Sequence, residues 1–143
     1  MLIVAGCTAS PLPAPTAMPL PTEVAPAFVM TPPEQALAAL VAGEREASRT
    51  GYLATLSQLW APDARIVDSR GTPATTDDYV WEGRNAILDR YRVAVFPAPP
   101  PPFDAIPKLE IILTENAATA TTGNDTWKFV RQDGRWWLFE LKY

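Results

Sequence analysis

The last seventeen residues of the chain, Trp127 to Tyr143, constrain its fold more than any other stretch. Two segments rich in aromatic and β-branched residues flank Asp133 and Gly134. An Asp-Gly pair in this setting predicts a β-hairpin, because a tight primed turn needs positive φ at its centre. Since side chains alternate along a strand, we expect one face of the hairpin to join a core through Trp127, Phe129, Trp137, Phe139, Leu141 and Tyr143. The opposite face is expected to carry Trp136, Leu138, Glu140 and Lys142.

The composition excludes several classes of function. The net charge is −4 and there is no long basic run, so no nucleic-acid partner is expected, because affinity for that backbone needs clustered Lys and Arg. The sequence contains no histidine and one cysteine, which removes histidine-activated nucleophiles, imidazole metal ligands and any internal disulfide. No metal-ligand spacing or phosphate-binding loop is present. We therefore predict no metal and no cofactor, and any catalysis must use carboxylates, Tyr, Lys, Arg or Thr.

The first seven residues predict a lipid anchor. Val4 to Cys7 resembles the bacterial lipobox, in which small residues precede a cysteine that receives diacylglycerol. Cleavage before Cys7 would leave it as the first residue of the mature chain. A secretory signal also has a positive n-region and a longer apolar stretch, so we expect the natural start to lie upstream. The alternative is that Cys7 is a buried residue at the start of an ordinary domain.

Residues 8–30 are dominated by Pro, Ala, Thr and Ser with almost no charge. Such a composition cannot bury enough apolar surface to offset chain entropy, so we predict a disordered, proline-rich tether. No apolar run in the sequence is long enough for a transmembrane helix. We therefore expect an extracytoplasmic domain that is held at the membrane through the lipid on Cys7 alone.

Residues 31–143 are predicted to form one α+β domain. A helix is expected to begin at Thr31 to Glu34, which has the form of a capping box with proline at the first helical position. The apolar stripe of this helix includes Glu44. Further along, the patterns predict a short helix at 51–60, strands at 64–68 and 79–82, a helix at 83–91, a stiff proline-rich connector at 96–107, and strands at 108–115 and 117–122.

Two carboxylates are candidate catalytic groups. Glu44 either points into a cavity or lies in water, at the margin of the stripe or beyond a helix that ends near Gly43. Asp68 shares one strand face with Ala64 and Ile66, and it points inward if that face is the inner one. The alternative for Asp68 is a turn-forming residue in contact with solvent.

The order of these elements resembles the nuclear transport factor 2-like superfamily, which includes SnoaL-like cyclases and ketosteroid isomerases. The motifs that carry the resemblance are the segment from Gly51 to Asp68, the stretch Trp81-Glu82-Gly83-Arg84, and the turn Asp133-Gly134-Arg135-Trp136. The resemblance covers about residues 31 to 143. It implies a cone-shaped α+β domain in which helices pack on a curved, mainly antiparallel sheet around an apolar pocket. It also implies a homodimer through the outer face of the sheet.

The resemblance also implies roles for individual residues. Asp68 falls where ketosteroid isomerases have their general base. Glu44 falls where those enzymes have an oxyanion-hole tyrosine, and Thr126 falls near their protonated acid, so steroid isomerisation is not implied. Glu44 and Asp68 can instead form a coupled pair that shares one proton.

Three functions follow as alternatives. The first is a lipid-anchored domain that binds a small hydrophobic molecule in a pocket formed by Trp60, Trp81, Tyr91, Trp127, Trp137 and Phe139. The second is an enzyme that performs acid-base chemistry through Asp68 and Glu44. The third is an interaction module that binds a partner or a second copy through an outer sheet face carrying Trp136 and Leu138.

Overall fold

A computed structural model of the protein describes residues 31–105 and 107–143. The predicted lipid site at Cys7 and the predicted tether at 8–30 lie outside these residues. In the part that is described, no helix combines the length and apolar character needed to cross a membrane.

Three helices pack on one six-stranded sheet in the described residues. The helical elements are α1 (Pro33–Thr50), α2 (Leu53–Leu59), a 3-10 turn (Thr75–Asp77), α3 (Arg84–Arg90) and a π-helical turn (Tyr91–Val95). The strands are β1 (Trp60–Asp68), β2 (Tyr79–Glu82), β3 (Glu110–Leu113), β4 (Ala117–Thr122), β5 (Asp125–Gln132) and β6 (Arg135–Lys142). Their order is β2-β1-β6-β5-β4-β3, and all neighbours are antiparallel except β1 and β6. The predicted α+β class, with a curved and mainly antiparallel sheet, is confirmed.

Helix α1 buries the stripe that its periodicity predicts. The buried residues are Leu37, Val41, Glu44, Ala47 and Ser48. The helix ends at Thr50, and the next residue, Gly51, adopts a left-handed conformation with φ of 76° and donates its N–H to the Ala47 carbonyl. The predicted capping box is wrong, because Pro32 occupies the N-cap position and no side chain caps the helix.

The C-terminal hairpin forms, but its register differs from simple alternation. Asp133 and Gly134 both have positive φ, as a primed turn requires. Trp127 pairs with Leu141, whereas Phe129 pairs with Leu138, so β6 contains one extra residue at this point. Beyond such a β-bulge, each side chain points to the face of the sheet opposite to the one that simple alternation predicts.

The bulge corrects the predicted faces of β6. Leu138 is fully buried on the inner face, where Phe129 lies, and alternation places Trp136 on that face as well. Trp137 pairs with Val130 on the opposite face. The prediction that Trp137 faces the core with Trp127, and that Trp136 and Leu138 face outward, is therefore wrong.

The core lies between the helices and the inner face of the sheet. Trp60 stacks on Trp127 with 6.5 Å between ring centroids, and both are almost completely buried. Around them pack Leu37, Val41, Leu56, Ile66, Ile87, Phe129 and Leu138. Burying each of these side chains contributes roughly 2 kcal/mol, and this core positions the walls of a neighbouring cavity.

The outer face carries a charge network around Glu140. This carboxylate is buried and forms ion pairs with Arg65 and with Lys128, the latter at 2.8 Å. Burial alone would raise the pKa of Glu140, but hydrogen bonds and charge from Lys128 and Arg65 hold it below its ordinary value. The centre of the outer face is therefore charged, and the homodimer predicted through this face stays a prediction.

Candidate functional site

A cavity of about 340 Å³ opens beside the core. It lies between α1, the end of α3 with its π-helical turn, the proline-rich segment that follows, and the paired ends of β5 and β6. Its lining consists of Glu44, Arg45, Ser48, Arg90, Tyr91, Ala94, Val95, Ala98, Pro100, Asp125, Trp127, Leu141 and Tyr143. Seven of these thirteen residues carry a charged group or a hydroxyl, so the cavity is less apolar than the resemblance implies.

Glu44 is the buried acid of the cavity. One of its carboxylate oxygens accepts hydrogen bonds from the Ser48 hydroxyl at 2.7 Å and from the Tyr91 hydroxyl. The interpretations that α1 ends near Gly43 and that Glu44 lies in water are wrong, because α1 continues to Thr50 and Glu44 is buried. Burial raises the pKa of Glu44 above its ordinary value, and the two hydrogen bonds and nearby arginine charges oppose this only in part.

Tyr91 is the partner that fixes Glu44. Its side chain is almost fully buried, and its pKa lies well above the ordinary value because of burial and because of the adjacent Glu44 carboxylate. The phenol therefore stays protonated and remains a donor. Together the two groups provide a hydrogen-bonding pair in which one member can gain or lose a proton.

Arg90 is a cation at the same cavity wall. Its guanidinium donates to the Tyr143 hydroxyl at 2.7 Å. It also lies 5.0 Å from the ring centroid of Trp81, 5.4 Å from that of Tyr143 and 5.6 Å from that of Tyr91. These aromatic rings hold the charged group by cation–π attraction.

Arg45 and Asp125 also line the cavity. The Arg45 guanidinium donates to the Pro101 carbonyl at 3.2 Å and lies 4.3 Å from the Phe103 ring centroid, so it holds the proline-rich segment against α1. Partial burial raises the pKa of Asp125, although the charge of Arg45 opposes the shift. The predicted stiff connector thus forms one wall of the cavity.

Two of the six predicted pocket residues, Tyr91 and Trp127, line this cavity. Trp60 lies behind Trp127 in the core, and Trp81 contacts Arg90 without lining the cavity. Phe139, at the bulge, is half-buried against the core. Trp137 lies beside two guanidinium groups, 3.7 Å from Arg135 and 5.5 Å from Arg84. Neither Phe139 nor Trp137 belongs to the lining.

Asp68 is the second candidate carboxylate. It ends β1, and its carboxylate accepts the backbone N–H of Arg70 at 2.8 Å across a turn in which Arg70 has φ of 52°. This contact matches the turn-forming alternative. Asp68 is absent from the lining of the cavity, and the hydrogen-bond partners of Glu44 are Ser48 and Tyr91. No hydrogen bond joins the two candidate carboxylates, and of the two only Glu44 lines this cavity.

Sequence reasoning missed Arg90, Asp125 and Tyr143 as lining residues. The sequence did indicate Ser48, because it follows Glu44 by four residues on the same helical stripe. No sequence pattern indicated Arg90, since its position depends on how the end of α3 packs against the C-terminus of β6. Among residues 31–105 and 107–143, no cluster of acidic, cysteine or histidine side chains is arranged to hold a metal ion.

No protein-family model and no curated protein matches this sequence. Solved structures do match. A nuclear transport factor 2-like protein of unknown function from Pseudomonas putida is 16% identical with a TM-score of 0.56, over 76% of this chain and 83% of that one. A nuclear transport factor 2-like superfamily protein from Salmonella enterica serovar Typhimurium is 15% identical with a TM-score of 0.57, over 77% and 88%. The hexachlorocyclohexane dehydrochlorinase LinA type 2 is 14% identical with a TM-score of 0.54, over 76% and 81%.

These similarities establish the architecture. The chain has the nuclear transport factor 2-like fold, as the resemblance in the sequence implied. At such low identity the likeness extends to the fold alone, because one fold hosts many unrelated sites. The chemistry of this chain has to be argued from its own residues.

Proposed function

We propose that this domain of the nuclear transport factor 2-like fold binds a small organic molecule in the cavity beside Glu44 and Tyr91. The observation that carries the proposal is a buried carboxyl and a buried phenol joined by a hydrogen bond at the wall of an open space of about 340 Å³. Burying such groups costs free energy unless something compensates it. A site that receives a polar ligand is a common reason to retain them.

The dimensions of the cavity support a small ligand. Its volume lies at the lower end of the roughly 300–1,000 Å³ that ligand pockets occupy. Trp127, Leu141 and Val95 offer apolar contact, while Glu44 and Tyr91 offer hydrogen bonds at one end. The indole nitrogen of Trp127 is buried and has no hydrogen-bond partner among the described residues. A ligand with an apolar body and a polar group fits this arrangement.

Acid–base catalysis is the second candidate, and the raised pKa of Glu44 favours it. A carboxyl that holds its proton closer to neutral pH is better suited to proton transfer than an ordinary one. The fold neighbour LinA is a dehydrochlorinase by name, so the fold is compatible with an enzyme. Under this alternative Glu44 carries the proton and Tyr91 positions it. The earlier assignment of the base to Asp68 has less support, because Asp68 is outside the cavity lining.

We also propose that the domain is held outside the cytoplasm by a lipid on Cys7 and a tether at 8–30. The support for this comes from the lipobox-like residues and the proline-rich composition alone. A domain on such a tether meets small molecules before they enter the cell, which is consistent with a binding role. The alternative of an interaction module assumed an outer sheet face that carries Trp136 and Leu138. It has less support, because Leu138 is buried on the inner face.

Two matched tryptophan substitutions, each at an alanine position, test the binding proposal. Ala94 lines the cavity but is itself exposed, so Ala94→Trp should fill the space without disturbing the core. Ala54 is also exposed and helical, lies on α2 and does not line the cavity, so Ala54→Trp is the control. A panel of small cyclic ketones, alcohols and acids is tested by saturation-transfer NMR. We expect Ala94→Trp to abolish binding that Ala54→Trp retains; equal binding by both variants would contradict the proposal.

A further inference from the structure

Arg90 has unused hydrogen-bonding capacity at the cavity wall. A guanidinium group offers five N–H donors. In the described residues one bond is made, to the Tyr143 hydroxyl. Because that hydroxyl accepts from Arg90, its own hydrogen is free to donate elsewhere. Arg90 and Tyr143 therefore present several donors to one cavity, and both belong to its lining.

The other half-buried arginines of the described chain have acceptors. Arg45 donates to the Pro101 carbonyl, and Arg84 donates to the Trp60 carbonyl at 2.8 Å. Of the six exposed arginines in the described residues, three pair with carboxylates, namely Arg49, Arg65 and Arg92. Within residues 31–105 and 107–143, Arg90 forms no ion pair and donates to no backbone carbonyl. Aromatic rings supply its contacts instead, and these fix the group without neutralising it.

Neither carboxyl group of the cavity forms an ion pair or a hydrogen bond with Arg90, although the charge of Arg90 acts on Glu44 and opposes the rise of its pKa. Glu44 is hydrogen-bonded to Ser48 and Tyr91, and burial raises its pKa. Asp125 also has a raised pKa, and the cation that acts on it is Arg45. Arg90 thus has no directly paired carboxylate within the described chain, and several of its N–H donors remain open to a ligand.

We propose that the ligand of this cavity is a small organic acid whose carboxylate binds Arg90 and Tyr143. This inference rests on the proposed binding function and specifies the chemical class of its ligand. An Arg guanidinium is well matched to a carboxylate, because two parallel N–H donors meet its two oxygens. The apolar body of the acid then lies against Trp127 and Leu141, and its far end reaches Glu44 and Tyr91.

Benzoate and benzamide test the charge requirement, since they share a shape and differ in charge. Their dissociation constants are measured by NMR titration at pH 7 on the wild type, Arg90→Gln and Arg92→Gln. Arg92 is exposed and pairs with Asp89 on the surface, so its variant controls for the change in net charge. We expect benzoate to bind the wild type about ten-fold or more tightly than benzamide. Arg90→Gln should weaken benzoate by about ten- to a hundred-fold and leave benzamide within about two-fold.

Equal affinity of the wild type for both probes would overturn the inference, as would an equal loss of benzoate binding in Arg92→Gln. If Arg90→Gln does not fold, Arg90→Lys replaces it. Lysine retains the charge but not the planar fork, so benzoate should weaken several-fold while benzamide is unchanged. Unchanged benzoate binding in that variant would overturn the inference.

The two proposals fail in different ways. If neutral molecules bind in a manner that Ala94→Trp abolishes while benzoate shows no advantage, the acid class is wrong and the cavity is still a binding site. If Ala94→Trp and Ala54→Trp behave alike with every probe, the binding function itself is wrong, and the inference falls with it.

Discussion

At the scale of single residues, the proposed site depends most on Glu44. Its position on the buried stripe of α1 was predictable from helical periodicity, because three- and four-residue spacing places it with Leu37 and Val41. Its partner Tyr91 was predicted to be in the pocket, but not as the residue that bonds Glu44. That contact joins positions 47 residues apart, and no local pattern encodes it.

The raised pKa of Glu44 predicts how stability depends on pH. Its native pKa lies above the ordinary value of 4.5 because of burial. The native state therefore binds the Glu44 proton more tightly than the unfolded state does. The resulting stabilisation is complete below about pH 4.5 and is lost as pH rises through the native pKa.

Glu44→Gln removes this titration and retains the shape of the side chain. The free energy of unfolding of Glu44→Gln, relative to wild type, should therefore rise between pH 4 and pH 8. Urea unfolding at several pH values measures it. Glu46→Gln, at an exposed position of the same helix, controls for the loss of a carboxylate from α1. A difference between Glu44→Gln and wild type that falls with pH would contradict the burial of Glu44.

At the scale of elements, the sequence predicted the hairpin but not its register. Asp133 and Gly134 signal a turn through local backbone preference, and that preference survives in the fold. The bulge in β6 has no such local signal. It arises where β6 must pair with β5 on one side and with β1 on the other. Simple alternation therefore predicted the correct sheet face for Leu141 and the wrong face for the residues from Leu138 to the turn.

Two apolar truncations test the corrected register. Leu138 is fully buried and Ile112 is 74% exposed. Leu138→Ala should lower the free energy of unfolding by about 2–5 kcal/mol, because it opens a cavity in the core. Ile112→Ala, on the edge strand β3, should change it by no more than about 0.5 kcal/mol. Denaturant unfolding compares them, and a similarly small effect of both substitutions would restore the alternating register in which Leu138 faces outward.

At the scale of the whole molecule, the fold was more predictable than the site. Helix and strand periodicity, turn residues and their order sufficed for the α+β architecture. The cavity was not predictable in the same way, because α1, α3, the proline-rich segment and two strand ends each contribute a few residues to it. Large aromatic residues such as Trp60 were expected in a pocket and instead fill the core. Aromatic composition alone does not distinguish the two roles.

The proposed lipid anchor determines where the whole molecule is held, and it depends on one residue, Cys7. Cys7 is the only cysteine in the sequence, so Cys7→Ser removes the only acceptor for the diacylglycerol. Expressed from its native gene, the wild type should partition into detergent and incorporate labelled palmitate, whereas Cys7→Ser should do neither. Thr8→Ser is the neighbouring control and should behave as wild type. Labelling that persists in Cys7→Ser would show that the anchor is elsewhere.

The most direct test of the central claim, that the cavity beside Glu44 and Tyr91 is a ligand site, uses the indole signals of the protein. Each of the five tryptophans carries one indole N–H group. Once these signals are assigned, Trp127 reports on the cavity and Trp137 on the opposite face of the sheet. In a titration of the wild type with benzoate, followed by ¹H–¹⁵N NMR, we expect the Trp127 indole signal to shift while that of Trp137 stays in place. A shift of Trp137 without Trp127 would contradict the claim, as would the absence of any indole shift with benzoate and with every neutral molecule of the panel.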